Sequence, residues 1–378
     1  MRVKVLFAVL LAGVAVVATG PSAGAATAAP RALPVPPEAQ SARITDLNRH
    51  GTVVGSLIEK TFPLSRATAW VDGELRPLEC PHPLSQATHV NDRDQVAGWC
   101  YGTDNQVKAT VWQDGKATVV APADAEYSEA VDINNRGEVL VWSLIRDPGA
   151  PVYLARYSVW RDGAHSTAFE GPQGRLSDFA VLGEGGHVVT ELDGKILRWR
   201  AGRTTELARP ANAESVYPVD VNVHGAVVGE ARDAAFAYRV VVWQRTQPVD
   251  IGTLGGAGTK IGQTNLSVGP WINSAGEVAA ESRTADGRWH VVRWRDGVLT
   301  DLTPDAADAR AAGVNEAGIV AGTLTSTANG PTTAFVWRHR HLTELPALNP
   351  GESSSASALH PHRAQVAGTS GDVPVVWG

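Results

Sequence analysis

Short apolar stretches alternate with polar turn residues along nearly the whole chain, and the alternation is periodic. One line sets the pattern: residues 44–55, two apolar stretches flanking Asn48-Arg49-His50-Gly51 and ending in Val53-Val54-Gly55. It returns from Thr88, Asp132, Asp220, Trp271 and Gly313, and in degraded form from Gly183 and Pro361. A second line follows each first one, a short β-rich run ending in Trp70, Trp112, Trp160, Trp199, Trp243, Trp294, Trp337 or Trp377. Four of these tryptophans are followed, one residue on, by Asp-Gly, at Asp72-Gly73, Asp114-Gly115, Asp162-Gly163 and Asp296-Gly297.

Turn chemistry explains both lines. In Asn-x-x-Gly the asparagine caps its own backbone two residues on, and the glycine takes the positive-φ position that closes the turn. Asp-Gly favours a tight type I′ hairpin. Each repeat therefore reads as strand, Asn-x-x-Gly turn, strand, loop, strand ending in Trp, Asp-Gly turn, strand. Eight such units, numbered here 1 to 8 and averaging about 44 residues, predict an all-β, eight-bladed β-propeller of four-stranded antiparallel blades. A seven-bladed propeller and an open β-solenoid are the alternatives. Blades buried on both faces account for unbroken apolar runs such as Val240-Val241-Val242, and one Trp per blade becomes a packing ring. Repeat 8 ends at Trp377-Gly378 without a last strand, while Arg31-Ala32-Leu33-Pro34 resembles Thr343-Glu344-Leu345-Pro346, the last strand of repeat 7. The N-terminal strand is thus expected to complete the last blade and close the ring.

Residues 1–25 read differently. A basic start (Arg2, Lys4), an apolar run over residues 5–19 and Ala23-Gly24-Ala25 form a secretory signal peptide, leaving residues 26–378 as one propeller domain. No later stretch reaches the roughly 20 apolar residues of a membrane span. Export makes a Cys80–Cys100 disulfide the expected fate of the two cysteines, contributing on the order of 3 kcal/mol. The formal charge is −6, and only 6 of the 33 basic residues are lysine, which argues against nucleic acid as a partner. The mature chain is expected to be a secreted monomer whose partner is an extracellular glycan or another extracellular protein.

The pairing of Asn-x-x-Gly-x-Val-Val-Gly with Ala-x-x-Trp-x-x-Gly resembles the HAF-type extracellular repeat family of bacterial secreted proteins. The best copy runs from Val240-Val241-Val242-Trp243 to Asp250-Ile251-Gly252-Thr253-Leu254-Gly255-Gly256. The resemblance covers nearly the whole mature chain and implies secretion and a propeller-like fold, with no catalytic residue carried over. The chain departs from the pattern at Gly183 and Pro361, where Asn is expected, and at His339-Arg340, where Asp-Gly is expected.

Catalytic motifs are missing from the sequence: it holds no Gly-x-Ser-x-Gly elbow and no His-Glu-x-x-His, and the spacing around Gly255 to Lys260 is wrong for a phosphate loop. His339/His341 and His360/His362 read as exposed loop histidines, with no metal and no cofactor expected. The position after Val-Val-Gly varies by repeat, as Ser56, Trp99, Trp142, Glu191, Glu230, Glu281, Thr323 and Thr369. Two Trp followed by three Glu would set an aromatic wall beside a carboxylate arc, suited to carbohydrate or a cationic ligand. The ligand-binding candidates are therefore Trp99, Trp142, Glu191, Glu230 and Glu281. The expected function is a secreted binding or interaction module, with a polysaccharide-active hydrolase or lyase as the alternative.

Overall fold

A computed structural model describes residues 29–60, 64–146, 149, 152–256 and 269–378; the signal-peptide segment lies outside them. Among the described residues there are 32 strands and no helix. Six sheets are four-stranded and antiparallel, beginning with Ala39–Leu47, Val53–Glu59, Ser65–Val71 and Glu74–Pro77. A seventh sheet joins repeats 6 and 7 through a single parallel pairing of Trp289 with Asp308. Repeat 8 supplies Ser354–Leu359, Val366–Ser370 and Val373–Trp377, and Arg31–Ala32 pairs with the last of these as its fourth strand. The disulfide between Cys80 and Cys100 ties the segment entering repeat 2 to that repeat's second strand.

Consecutive sheets pack face to face over apolar clusters. Val54, Ala69, Val90 and Val96 fill the space between repeats 1 and 2. Ile44, Leu47 and Trp70 of repeat 1 meet Ala358, Ala367 and Val376 of repeat 8 in the same way. Trp70, Trp112, Trp243 and Trp377 are fully buried, and each indole N–H is spent on the segment that enters its repeat. The acceptors are the carbonyls of Pro34, Glu79, Ala208 and Pro346, at 2.6–2.9 Å. A buried indole with an acceptor loses nothing to desolvation, which is why Trp serves where Phe would not.

The Val-Val-Gly glycine has a steric reason. The first strand of six repeats carries a β-bulge three residues before the turn residue, at Thr45, Thr88, Val131, Val219, Ala312 and Ser357. The bulge pushes the preceding backbone against the second strand, so a Cβ on Gly55 would lie 1.9 Å from the Arg43 carbonyl oxygen and one on Gly98 2.0 Å from that of Gln86. It also re-aims the next side chain, the usual consequence of a bulge. The side chains at that position are Asp46, His89, Asp132, Asp220 and Ala358, and repeat 7 has Gly313 there.

Two sequence expectations are corrected. Repeat 8 takes its turn residue from His360, not Pro361: His360 Nδ1 accepts the amides of His362 and Arg363, as Asn48 Oδ1 accepts those of His50 and Thr52. One extra residue lengthens this turn, so the spacing pointed one position too far. His360 is accordingly buried, not an exposed loop histidine, whereas His339 and His341 are exposed. His339-Arg340 still makes a tight hairpin, both residues taking positive φ (50° and 67°) where Asp-Gly does so elsewhere.

Candidate functional site

The Asn-x-x-Gly asparagines do more than close their turns. Asn48 Nδ2 donates to the carbonyl of Asn91 in the next repeat, Asn91 to Asn134, and Asn134 to Gly183. Beyond repeat 4 the chain of bonds resumes, Asn222 to Asn273, Asn273 to Asn315, and Asn315 to His360. His360 completes it. With Nδ1 accepting, its Nε2 carries the proton and reaches the Arg49 carbonyl at 2.9 Å. Burial lowers the His360 pKa, which favours this neutral form. A collar of buried side-chain hydrogen bonds thus runs from sheet to sheet, each worth on the order of 1 kcal/mol net. A second course lies beside it, where the amides of Arg49, Asp92 and Asn135 donate to Asp92, Asn135 and Glu184 of the next repeat.

Two residues before the turn residues stand the bulge-directed residues. Asp46 accepts the Leu47 amide with one carboxylate oxygen and the Val90 amide of repeat 2 with the other. Asp132 bridges Ile133 and Leu182 in the same way, and Asp220 bridges Val221 and Ile272. The three aspartates sit in repeats 1, 3 and 5, yet their charges act on one another: Asp132 raises the pKa of both Asp46 and Asp220, and Glu316 of repeat 7 also raises that of Asp220. Asp220 is pushed up to about 6, by burial first and by these charges next, against the pull of its two amide donors. His89 completes the layer, its Nδ1 lying 3.9 Å from Asp132. Burial opposes its charge, but Asp132 and Asp46 outweigh that and hold its pKa above the ordinary histidine value.

Chemically, these aspartates are acceptors: each carboxylate oxygen that takes one amide keeps a second lone pair. Among the described residues no group of three or more His, Cys, Asp or Glu side chains is arranged to hold a metal.

The five residues singled out from the sequence lie at equivalent points of the second strands, and they do not assemble into one surface. Trp99 is half-buried opposite Gln86 and Ala109. Trp142 packs edge-on to Tyr127, 5.6 Å between ring centres, against the core between repeats 3 and 4. Glu191 accepts the Gly194 amide of its own hairpin. Only Glu230 and Glu281 come together. Both are buried, and with Pro270 and Trp271 they line a cavity of about 10 Å3, room for roughly one water. Burial, and then Glu281, push the Glu230 carboxyl up to about 8. Glu281 Oε1 accepts the Ala311 amide, and Thr323, its counterpart in repeat 7, accepts the Ala356 amide, so this position clamps one sheet to the next. The position after Val-Val-Gly does not point to Asp46, Asp132 and Asp220. The signal was present two residues before the turn asparagine, where Asp46, Asp132 and Asp220 recur.

No protein-family model and no curated protein matches the chain. Solved structures do. A puromycin-hydrolyzing peptidase from Mycobacterium tuberculosis matches at 12% identity and a TM-score of 0.54, covering 89% of this chain and 61% of its own. An acylaminoacyl peptidase from Pyrococcus horikoshii matches at 12% identity and 0.51, over 82% of this chain and 53% of its own. The β-propeller domain of the Trilobed protease from Pyrococcus furiosus matches at 14% and 0.49, over 83% and 98%. The chain thus spans little more than half the length of the two whole peptidases. At these identities the likeness concerns fold: an all-β chain of four-stranded antiparallel sheets with β-propeller neighbours. The comparison nonetheless runs against the expected module for carbohydrate or a cationic ligand, together with its polysaccharide-active alternative, because the two whole proteins named above, with TM-scores above 0.5, are peptidases.

Proposed function

We propose that this chain is a peptidase-related propeller that handles polypeptide at its axis. The observation that carries the reading is the axial layer of Asp46, His89, Asp132 and Asp220, set by bulges in a fold whose better-matching structural neighbours are peptidases. An extended polypeptide presents amide N–H groups at regular intervals, and inward-facing carboxylate oxygens are the matching acceptors. Folded proteins have spent those amides on their own structure, so the axis selects unfolded segments.

The ring in this reading has eight blades and is closed by residues 31–32. Support comes from the pairing of Arg31 and Ala32 with Val376 and Val375, from the apolar cluster shared by repeats 1 and 8, and from the His360–Arg49 hydrogen bond. The N-terminal leader and the HAF-type repeat pattern support work outside the cell.

The test is a fluorescence-anisotropy titration with a labelled polypeptide in two forms, reduced and carboxymethylated so that it stays unfolded, and native. Saturable binding of the unfolded form alone is expected. Equal binding of both forms, or of neither, overturns the reading.

A further inference from the structure

The sequence Arg-Trp-Arg occurs twice, as Arg198-Trp199-Arg200 in repeat 4 and Arg293-Trp294-Arg295 in repeat 6. Strand register makes the two places equivalent. Val188 pairs with Trp199 across its hairpin, as Val278 pairs with Trp294. The residue before each valine is therefore the same position, His187 in one repeat and Glu277 in the other. The two side chains also pack alike against the next repeat. A Cβ on Gly225 would lie 2.8 Å from the His187 ring, and one on Gly318 would lie 2.6 Å from Glu277 Oε2.

The charges differ. In repeat 6 both guanidinium groups close on the buried Glu277 carboxylate, Arg293 at 2.6 Å and Arg295 at 2.9 Å, and Asp296 gives Arg295 a second partner at 3.3 Å. Repeat 4 keeps both arginines and lacks both carboxylates, with His187 standing for Glu277 and Ala201 for Asp296. His187 cannot serve as the counter-ion. Its ring nitrogens are sealed and without partners among the described residues, and the charges of Arg200, Arg198 and Arg136 all hold it neutral. Of these arginines, Arg136 has its own carboxylate, Glu138 at 2.6 Å. Half-buried Arg198 spends Nη1 on the carbonyls of Gly225 and Arg245, which brings the repeat 5 hairpin to the same corner. Its Nε and Nη2 have no partner among the described residues, and neither is sealed from solvent. Arg245 occupies the hairpin position that holds Asp72, Asp114, Asp162 and Asp296 in other repeats. Arg200 and Arg245 are exposed, and no carboxylate pairs with either among the described residues. Partial burial strips water from Arg198 and supplies no carboxylate in return, a cost that an anion from outside removes.

We propose that Arg198, Arg200 and Arg245 form a docking corner for the side-chain carboxylates of an acidic polypeptide segment. The equivalent arginines of repeat 6 are satisfied by a glutamate carboxylate, and the incoming carboxylate supplies here what Glu277 and Asp296 supply there. It takes the open Nε–Nη2 edge of Arg198, the planar fork that carboxylates match, with Arg200 and Arg245 closing from the solvent side. The corner does not depend on the axial reading, because it turns on side-chain carboxylates and not on backbone amides.

The test is a low-salt anisotropy titration with rhodamine-labelled Gly-Glu-Glu-Gly-Glu-Glu-Gly and its glutamine counterpart. The glutamate peptide is expected to bind at least tenfold more tightly than the glutamine one. Arg200→Gln combined with Arg245→Gln, which alters exposed side chains only, is expected to weaken that binding at least fivefold. Arg295→Gln removes an arginine that is already paired, and should bind as the parent does. His187→Glu supplies the internal carboxylate of repeat 6 and is expected to weaken peptide binding at least fivefold; should it not fold, the exposed double variant decides. Equal binding of the two peptides, no binding of the glutamate peptide even where heparin binds, an unimpaired double variant, an unimpaired folded His187→Glu, or an equal loss with Arg295→Gln overturns the corner. Equal binding of the two peptides is what amide capture at the axis alone produces, so the two readings fail separately.

Discussion

Repeats 1 to 3 and the junction of repeats 4 and 5 are built from the same line of sequence and solve the same packing problem differently. In the first group every turn has its asparagine, and the collar runs unbroken from Asn48 to Gly183. At the junction Gly183 has no side chain to pass on, and Val223 stands exposed at the position where Asp92, Asn135 and Glu184 act in the second course. His187 is buried there with no acceptor or donor for either ring nitrogen among the described residues. Exposed Phe179 and Phe236 and a groove of about 410 Å3 belong to the same two repeats. The regular repeats keep the collar, and exposed rings and the buried His187 gather where the pattern is broken.

The largest effect that separates the two regions concerns their tryptophans. Trp112→Ala in repeat 2 removes a fully buried ring and the donor to Glu79, and is expected to cost about 4 kcal/mol in denaturant unfolding. Trp199→Ala in repeat 4 is expected to cost about 1 kcal/mol less, because packing alone is lost. Next comes the collar. Asn91→Ala strips the acceptor from the amides of Arg93 and Gln95 and the donor from the Asn134 carbonyl, a loss of about 3 kcal/mol. Equal melting temperatures for Asn91→Ala and the parent would mean that the collar contributes nothing.

Restoring the repeat pattern at the junction is expected to fail. By sequence, Gly183→Asn repairs a gap; in the structure a Cβ there would lie 2.5 Å from the Val221 carbonyl oxygen. A loss of about 1–3 kcal/mol is expected from the overpacking, and a gain would show that the backbone can withdraw.

Two further effects are pH-dependent and opposite in sign. Glu230 holds its proton up to about pH 8 in the native state, against an ordinary value of 4.5, so between these the native state binds the proton more tightly and stability falls as pH rises. Glu230→Gln should flatten that alkaline decline. His187 is pushed down to about 4, by burial first and then by Arg200, Arg198 and Arg136, so the unfolded chain binds its proton more tightly and stability falls as pH drops from 6.5 towards 4. His187→Gln should flatten the acid limb. A melting-temperature series from pH 4 to 9 on the three proteins checks both, with shifts of about 2 °C per kcal/mol.

The fold was largely legible because its signals are local. Asn-x-x-Gly, Asp-Gly and the terminal Trp each fix a turn or a strand end within a few residues, and the pairing of residues 31–32 with the last strand could be read from its likeness to residues 343–346. The disulfide followed from the cysteine count. What lay beyond the sequence was direction. A bulge does not show in composition, so the bridging of one repeat to another by Asp46, Asp132 and Asp220 could not be separated from turn chemistry. The Glu230 and Glu281 positions varied visibly, but whether a strand residue faces solvent or the next sheet depends on twist, and here they face the next sheet. His360 replaced an asparagine by geometry alone, through a ring nitrogen at the right reach.

The central claim, that polypeptide meets this protein at its axis, is tested most directly by photo-crosslinking. An unfolded polypeptide carrying a benzophenone side chain is bound, irradiated and mapped by mass spectrometry. The account predicts adducts on the inner strands around Asp46, His89, Asp132 and Asp220, suppressed by excess unlabelled polypeptide. Adducts confined to the outer strands, such as Glu74–Pro77 and His341–Leu345, would contradict it.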